Sequence, residues 1–341
     1  MKPLQNILYI TKPGAYLSKE RETIHIRLEE GPDVKIPIHG ISGIVCFGTV
    51  GMSPWLMGFC AERNVAVTFL TDTGRFLARV HGPLHGNVLL RRAQYRTADV
   101  ADQSGTLAAA FVTGKLYNCR QALLRCIRDH GETPALRETE KLLSGRIRTL
   151  TSVKECDTAR GVEGDAARAY FSAFPDLIRK NDPAFAFSGR NRRPPKDAVN
   201  ALLSLFYTLL VHDVRSALET VGLDAAVGFL HKDRPGRPSL ALDMMEELRP
   251  VFCDRLAVSL INREQVRASD FLTNPDSGAV TLEEEARKRV LAAWQKMKQE
   301  TLTHPFTEEA IPKGLVPFIQ ARLLARHLRG DLDGYPPFLW R

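Results

Sequence analysis

The sequence predicts an α+β protein: a small N-terminal β-domain followed by a larger all-α domain. Three observations predict it. Over residues 1 to about 95, short β-branched and aliphatic runs alternate with turn chemistry, as in Thr23-Ile-His-Ile-Arg-Leu28 followed by Glu30-Gly31-Pro32-Asp33. From about residue 105 the apolar period becomes helical, and Leu107 to His130 contains no proline and only Gly114 as a glycine. The chain has 341 residues, 44% hydrophobic and 25% charged, enough for two cores and close to ordinary globular usage.

The elements follow in order. Asn6 to Ile10 is a strand ending at Lys12-Pro13-Gly14, and Thr23 to Leu28 is half-buried by its alternation. Val34 to Ile38, the more fully apolar Ile41 to Phe47, and Val65 to Leu70 are further strands. Thr73-Gly74 turns into Arg75 to Val80. Ser53-Pro54 opens a short helix to Arg63, with serine at the cap and proline at the first helical position. The helical part holds Leu107 to His130, Ala135 to Leu150, and a helix opened by Arg160-Gly-Val-Glu-Gly164 that runs on through Asp165 to Phe171. An apolar helix from Asp197 to Val221 follows Pro194-Pro195. Ser239 is placed to cap Leu240 to about Asn262. Thr281 opens a helix with Glu283 to Glu285 in its first turn, where the helix dipole favours acids. Leu315 to Arg329 is the last helix. The expected boundary puts the β-domain at 1–95 and the helical domain at 96–341.

The net charge is +8, and the excess is shared by the first hundred residues and the rest. A folded body carrying that charge fits a polyanion such as nucleic acid, or is a mildly basic protein with no such partner. The six cysteines form no C-x-x-C and no Cys/His quartet, so a structural zinc site is not expected. Cys119 and Cys126, seven apart, are expected in a core. With no signal-peptide layout and no membrane-length apolar run, the expectation is a reduced, cytoplasmic protein.

P-loop, dinucleotide-binding, nucleophile-elbow and zinc-protease motifs are all absent. Chemistry is therefore sought in scattered ionisable groups. Glu163 lies between Gly161 and Gly164, where a ligand could approach closely, or where an acid simply favours a helix start. His231 closes an apolar run; it is a metal ligand and proton carrier, or a satisfied polar group at a helix end. Asp243 and Glu246 are three apart and share a helix face, as two acids with a cation between them or as a solvated acidic face. Together, carboxylates and one imidazole suit Mg²⁺ or Mn²⁺. Between them, residues 179–196 carry Arg190, Arg192, Arg193 and Lys196, with Phe185 and Phe187 interleaved for stacking on bases. The sum points to metal-dependent phosphodiester chemistry on a nucleic acid. A non-catalytic DNA-binding scaffold is the alternative.

At these residues the sequence resembles the CRISPR-associated protein 1 family, the endonuclease/integrase of spacer acquisition. The resemblance is carried by Gly161-Val-Glu-Gly164 with Ala167, Arg168, Tyr170 and Phe171; by Arg193-Pro-Pro-Lys-Asp197 with Asn200 to Leu203; by Gly228-Phe-Leu-His231; and by Pro238-Ser-Leu240 with Asp243 and Glu246. Tyr9 to Leu17, Ile44 to Gly48, Leu56 to Thr71 and Gly86 to Arg96 resemble its type I-C subgroup. The resemblance implies a β-sandwich-like N-terminal domain that forms a homodimer, and a helical catalytic domain holding Mg²⁺ or Mn²⁺. It implies Glu163, His231 and Glu246 as metal ligands, with Asp243 supporting them or exchanging roles with Glu246. Double-stranded DNA, as fragment and as repeat, and the small CRISPR-associated protein 2 are the implied partners.

Overall fold

The computed structural model describes residues 7–63, 65–71, 76–80, 82 and 88–340. Its N-terminal part contains the strands β1 (Ile7–Ile10), β2 (Tyr16–Glu20), β3 (Thr23–Arg27), β4 (Val34–Pro37), β5 (Gly43–Phe47) and β6 (Gly51–Met52). Helix α1 (Pro54–Glu62) precedes β7 (Ala66–Leu70) and β8 (Phe76–Val80). Two four-stranded sheets result. One has the order β1-β5-β7-β8, its first three strands parallel and β8 antiparallel to β7. The other has the order β4-β3-β2-β6. Leu17, Ile24 and Ile26 of the second sheet, Ile44, Cys46 and Val67 of the first, and Leu56, Phe59 and Cys60 of α1 form one core. In β3 the alternation works as expected, with Ile24 and Ile26 buried. Ser53 caps α1 by accepting from the Leu56 amide, with Pro54 in the first turn.

The rest is mainly helical. Helices α2 (Val88–Asp99), α3 (Ala101–His130), α4 (Pro134–Leu150), α5 (Cys156–Ala173), α6 (Ala198–Val221), α7 (Ser239–Arg249) and α8 (Arg255–Asn262) follow in order. Two small ribbons, β9 (Phe271–Thr273) with β10 (Val280–Leu282) and β11 (Thr301–Thr303) with β12 (Ala310–Pro312), flank α9 (Glu284–Gln299). The last helix is α10 (Val316–Leu328). Helix α3 packs against α4, α5 and α7, and α6 packs against α7 and α10. Cys119 and Cys126 lie in this core as expected. By length and composition α6 could cross a membrane, but it carries His212, Asp213 and Arg215 and is largely buried among its neighbours. It is the core helix of this unit.

Several expectations shift. Contacts divide the chain into a unit of Met1–His85, Leu282–Glu300 and Pro312–Leu315, and a unit of the remaining residues, not at a single cut after residue 95. Helix α9 belongs to the β unit: Gln295 Nε2 donates to the Ile7 carbonyl at 2.9 Å and the Arg287 guanidinium lies over the Phe47 ring. The segment expected to end the β-domain is instead helix α2. The short strands β2, β6 and β9 to β12 were not expected. Ser239 is the first residue of α7 rather than its cap, and it follows Pro238, which makes no capping hydrogen bond. Thr281 lies in β10, and Glu283 caps α9, accepting from the amides of Glu285 and Ala286. The turn expected at Thr73-Gly74 falls outside the described residues.

Candidate active site

Four side chains from three helices meet in the helical unit. Lys115 is on α3, Glu163 on α5, and Glu246 and Arg249 on α7. The Lys115 ammonium is bonded to Glu163 Oε1 and lies 2.7 Å from Glu246 Oε2. Arg249 Nη1 lies 3.0 Å from the other oxygen of Glu246. Glu246 is 3% exposed and Lys115 8%, whereas Glu163 keeps 26% of its surface open. Burial drives a carboxylic acid's pKa up; at Glu246 the Arg249 and Lys115 cations reverse that and hold it below the usual carboxylate range. Burial likewise disfavours the ammonium, but Glu246 and Glu163 raise the pKa of Lys115 and keep it charged.

The local fold explains this convergence. Gly114 lets α3 press against α7, since a Cβ there would meet Glu247 Cβ at 2.8 Å. After Arg249 the helix passes through a π-helical turn, Pro250–Asp254, before α8. Proline lacks an amide and crowds the carbonyl four residues back, so the wider turn carries the chain past it. Behind Glu247, the Tyr335 hydroxyl, Gln320 Nε2 and the Phe338 amide all donate to its carboxylate. Asn118 on α3 donates to the carbonyls of Glu247 and Phe338 and accepts from the Trp340 amide.

His231 sits in the loop between α6 and α7, not at a helix end. Its Nδ1 is 2.6 Å from Asp243 Oδ1. The same carboxylate accepts from the amides of Phe229 (2.6 Å), Leu230 (2.9 Å) and His231 (3.0 Å). Gly228 permits the approach: a Cβ would lie 2.7 Å from Asp243 Oδ2. Asp243 is fully buried and its lone pairs are committed. His231, 27% exposed, is left with Nε2 for an outside partner. A cavity of about 390 Å³ opens beside it, lined among others by Ser104, Cys156, Arg160, Phe229 and Lys232.

Sequence reasoning misplaced some of these groups. Helix α5 begins at Cys156, so Glu163 lies two turns inside it and the helix-start explanation falls away. Gly161 and Gly164 face open space, with nothing within 4 Å of an added Cβ. Arg190 is no free DNA contact: it donates to Asn200 Oδ1, Ser204 Oγ and the Asn191 carbonyl and stacks over the Tyr207 ring. Burial lowers its pKa. Phe185 and Phe187 are buried too, Phe187 against Phe171 and Phe174, Phe185 against Phe271. They cannot stack on bases. Arg192, Arg193 and Lys196 are exposed, in a segment tied down by Asn191, Asp197 and Asn200. Lys115 and Arg249 were missed. Their signal was present: Lys115 shares a helix face with the buried Phe111, Val112 and Cys119.

Do these residues suit a divalent ion? Among the described residues no three acidic, histidine or cysteine groups stand close enough to share one, because Lys115 occupies the space between Glu163 and Glu246. The donor chemistry nevertheless fits. Two carboxylates already converge on one cation, a nearby imidazole has a ring nitrogen to spare, and buried Glu246 Oε2 accepts no aligned hydrogen bond. Residues 8–296 match the family described as CRISPR associated protein Cas1. The chain belongs to the Cas1 family. A curated Cas1 relative, the CRISPR-associated endonuclease Cas1 1 of Chlorobaculum tepidum, is 54% identical over 344 residues, with both chains fully covered. The Cas1 fold seen here is shared by a casposase bound to integration product, with a TM-score of 0.85, 22% identity, and 99% and 95% of the two chains covered. It is shared also by a Cas6-RT-Cas1–Cas2 complex, with a TM-score of 0.83, 23% identity, and all of this Cas1 chain covering 36% of that one.

Proposed function

We propose that this chain is a divalent-metal-dependent DNA integrase and endonuclease of CRISPR adaptation, of the type I-C kind. The observation that carries the reading is the convergence of Glu163 and Glu246 on one cation beside an imidazole fixed by Asp243, in a member of the Cas1 family. Glu163, Glu246 and His231 Nε2 would hold Mg²⁺ or Mn²⁺. When bound, the ion supplies charge stabilisation at the phosphoryl oxygen. Asp243 fixes the ring: with its Nδ1 proton directed at Oδ1, Nε2 keeps the lone pair that a ligand needs. Arg249 holds Glu246 in place from the other side.

In the reaction, the 3′-oxygen of a short DNA fragment attacks a phosphodiester at the repeat edge. A new P–O bond forms, the repeat's own P–O3′ bond breaks, and the proton lost by the attacking hydroxyl is matched by one that the departing 3′-oxygen takes up. Water in place of the hydroxyl gives nicking. Arg192, Arg193 and Lys196 hold the DNA backbone, giving salt-dependent binding with little base readout. The cavity beside His231, with Arg160 and Lys232 on its wall, has room for part of a nucleotide. The β unit forms the homodimer, and the CRISPR-associated protein Cas2 bridges two such dimers; that Cas2 is a partner is supported by the neighbour named as a Cas1–Cas2 complex. The six cysteines form no disulfide, in keeping with the cytoplasm.

The test is strand transfer. A labelled duplex with a free 3′-OH is incubated with a repeat-bearing supercoiled plasmid, Cas2 and Mn²⁺ or Mg²⁺. The proposal expects label joined to the plasmid only with metal, and lost in Glu163→Ala, His231→Ala and Glu246→Ala. DNA binding without joining or nicking under either metal would instead make the chain a non-catalytic scaffold.

A further inference from the structure

Lys115 has no part in the chemistry so far. It is the only described side chain that touches both carboxylates proposed as ligands, and it is itself nearly buried. Its helix neighbours Phe111, Val112 and Cys119 are apolar and buried, so in the free protein the two carboxylates are what the ammonium pairs with. With Arg249 on Glu246, two cations balance two acids and the cluster is neutral as it stands. A divalent ion bound to Glu163 and Glu246 would add two charges a few ångströms from an ammonium in a partly buried site, where like charges repel far more than in water.

We propose that Lys115 is a tethered counter-ion. It occupies the cation position between Glu163 and Glu246, holds the two acids close, and gives up the position when a divalent ion arrives. The inference rests on the metal-dependent reading above. It makes metal uptake a displacement, so the free protein binds the ion more weakly than its carboxylates alone would allow.

The test measures Mn²⁺ binding to the full chain without DNA, by the loss of the free-ion electron paramagnetic resonance signal. Lys115→Met keeps the stem and removes the charge, and it should bind Mn²⁺ about 10-fold more tightly or better. Lys115→Arg keeps the charge and should stay within about twofold of the unmodified protein. Glu163→Gln should abolish binding in either background. In the unmodified protein, an amine-acylating reagent should label Lys115 poorly without Mn²⁺ and several-fold faster with it. Equal or weaker binding by Lys115→Met, with Glu163→Gln still abolishing it, overturns the counter-ion and leaves the metal site standing. No binding by any form removes the metal reading and this inference together. If Lys115→Met loses its helical circular dichroism, labelling decides: a Lys115 equally slow with and without Mn²⁺ overturns the proposal.

Discussion

The Nδ1 atom of His231 lies 2.6 Å from Oδ1 of Asp243, and that carboxylate also accepts three consecutive amides, those of Phe229, Leu230 and His231. One buried acid thus sets both the course of the loop and the angle of the ring it carries. In the proposed reaction Asp243 acts through His231, as a positioning residue.

Asp243→Ala leaves three amides and a ring nitrogen without their acceptor. Each orphaned buried donor costs about 1–3 kcal/mol, and the loop can recover some through water. We expect a loss of roughly 3 kcal/mol in urea unfolding, together with loss of strand joining. A variant of unchanged stability would show that the loop does not depend on this carboxylate.

Glu246 and Glu163 should separate stability from activity. Glu246→Ala leaves Arg249 without its carboxylate and Lys115 with Glu163 alone, both cations buried, and should cost about 3–5 kcal/mol as well as abolishing joining. Glu163 is partly exposed, so Glu163→Ala should abolish joining while unfolding within about 1 kcal/mol of the unmodified chain. Thermal melts beside strand-transfer assays check both.

Asp254 should make stability fall with rising pH. Burial pushes it up to about 6, against the Tyr207 hydroxyl that donates to it at 2.7 Å. A carboxyl that binds its proton more tightly when folded contributes stability below its unfolded pKa, near 3.9, and that contribution is lost as pH rises through about 6. Asp254→Asn should therefore flatten the stability profile between pH 4 and 6, by an amount on the order of 3 kcal/mol. Urea midpoints across that range measure it.

The basic segment should split into two classes. Replacing Arg192, Arg193 and Lys196 together by alanine should weaken DNA binding and lower the log–log salt slope by up to about 3. Arg190→Ala should instead destabilise the protein, by about 2 kcal/mol, because it leaves Asn200 and Ser204 short of a donor. Equal salt slopes for the triple variant would remove the DNA-backbone role.

What the sequence revealed depended on range. Ile24 and Ile26 announced β3 by alternation, and Ser53-Pro54 announced α1, because neighbours along the chain cause both. Glu163, His231 and Glu246 stood out as acids and imidazole in apolar or glycine-bounded settings. Lys115 was overlooked although it shares the apolar face of Phe111, Val112 and Cys119; that it meets Glu163 and Glu246 shows only when α5 and α7 are laid against α3. Arg190 erred the other way, since the segment 179–196 by itself cannot show that Tyr207 and Asn200 enclose it. The return of α9 to the β unit rests on pairings nearly three hundred positions apart, such as Gln295 with Ile7.

The pinning of Phe338 by Glu247 and Asn118 bears on synthesis. These contacts join residues 91 and 220 positions apart. A growing chain that has made Lys115, Glu163 and Glu246 but not yet Gln320, Tyr335 and Phe338 still lacks the three donors to the Glu247 carboxylate and one acceptor of the Asn118 amide in the seam between α3 and α7. The ribosome must therefore run far past the acids before that seam closes, so α3 and α7 reach their final packing only after Phe338 has been made.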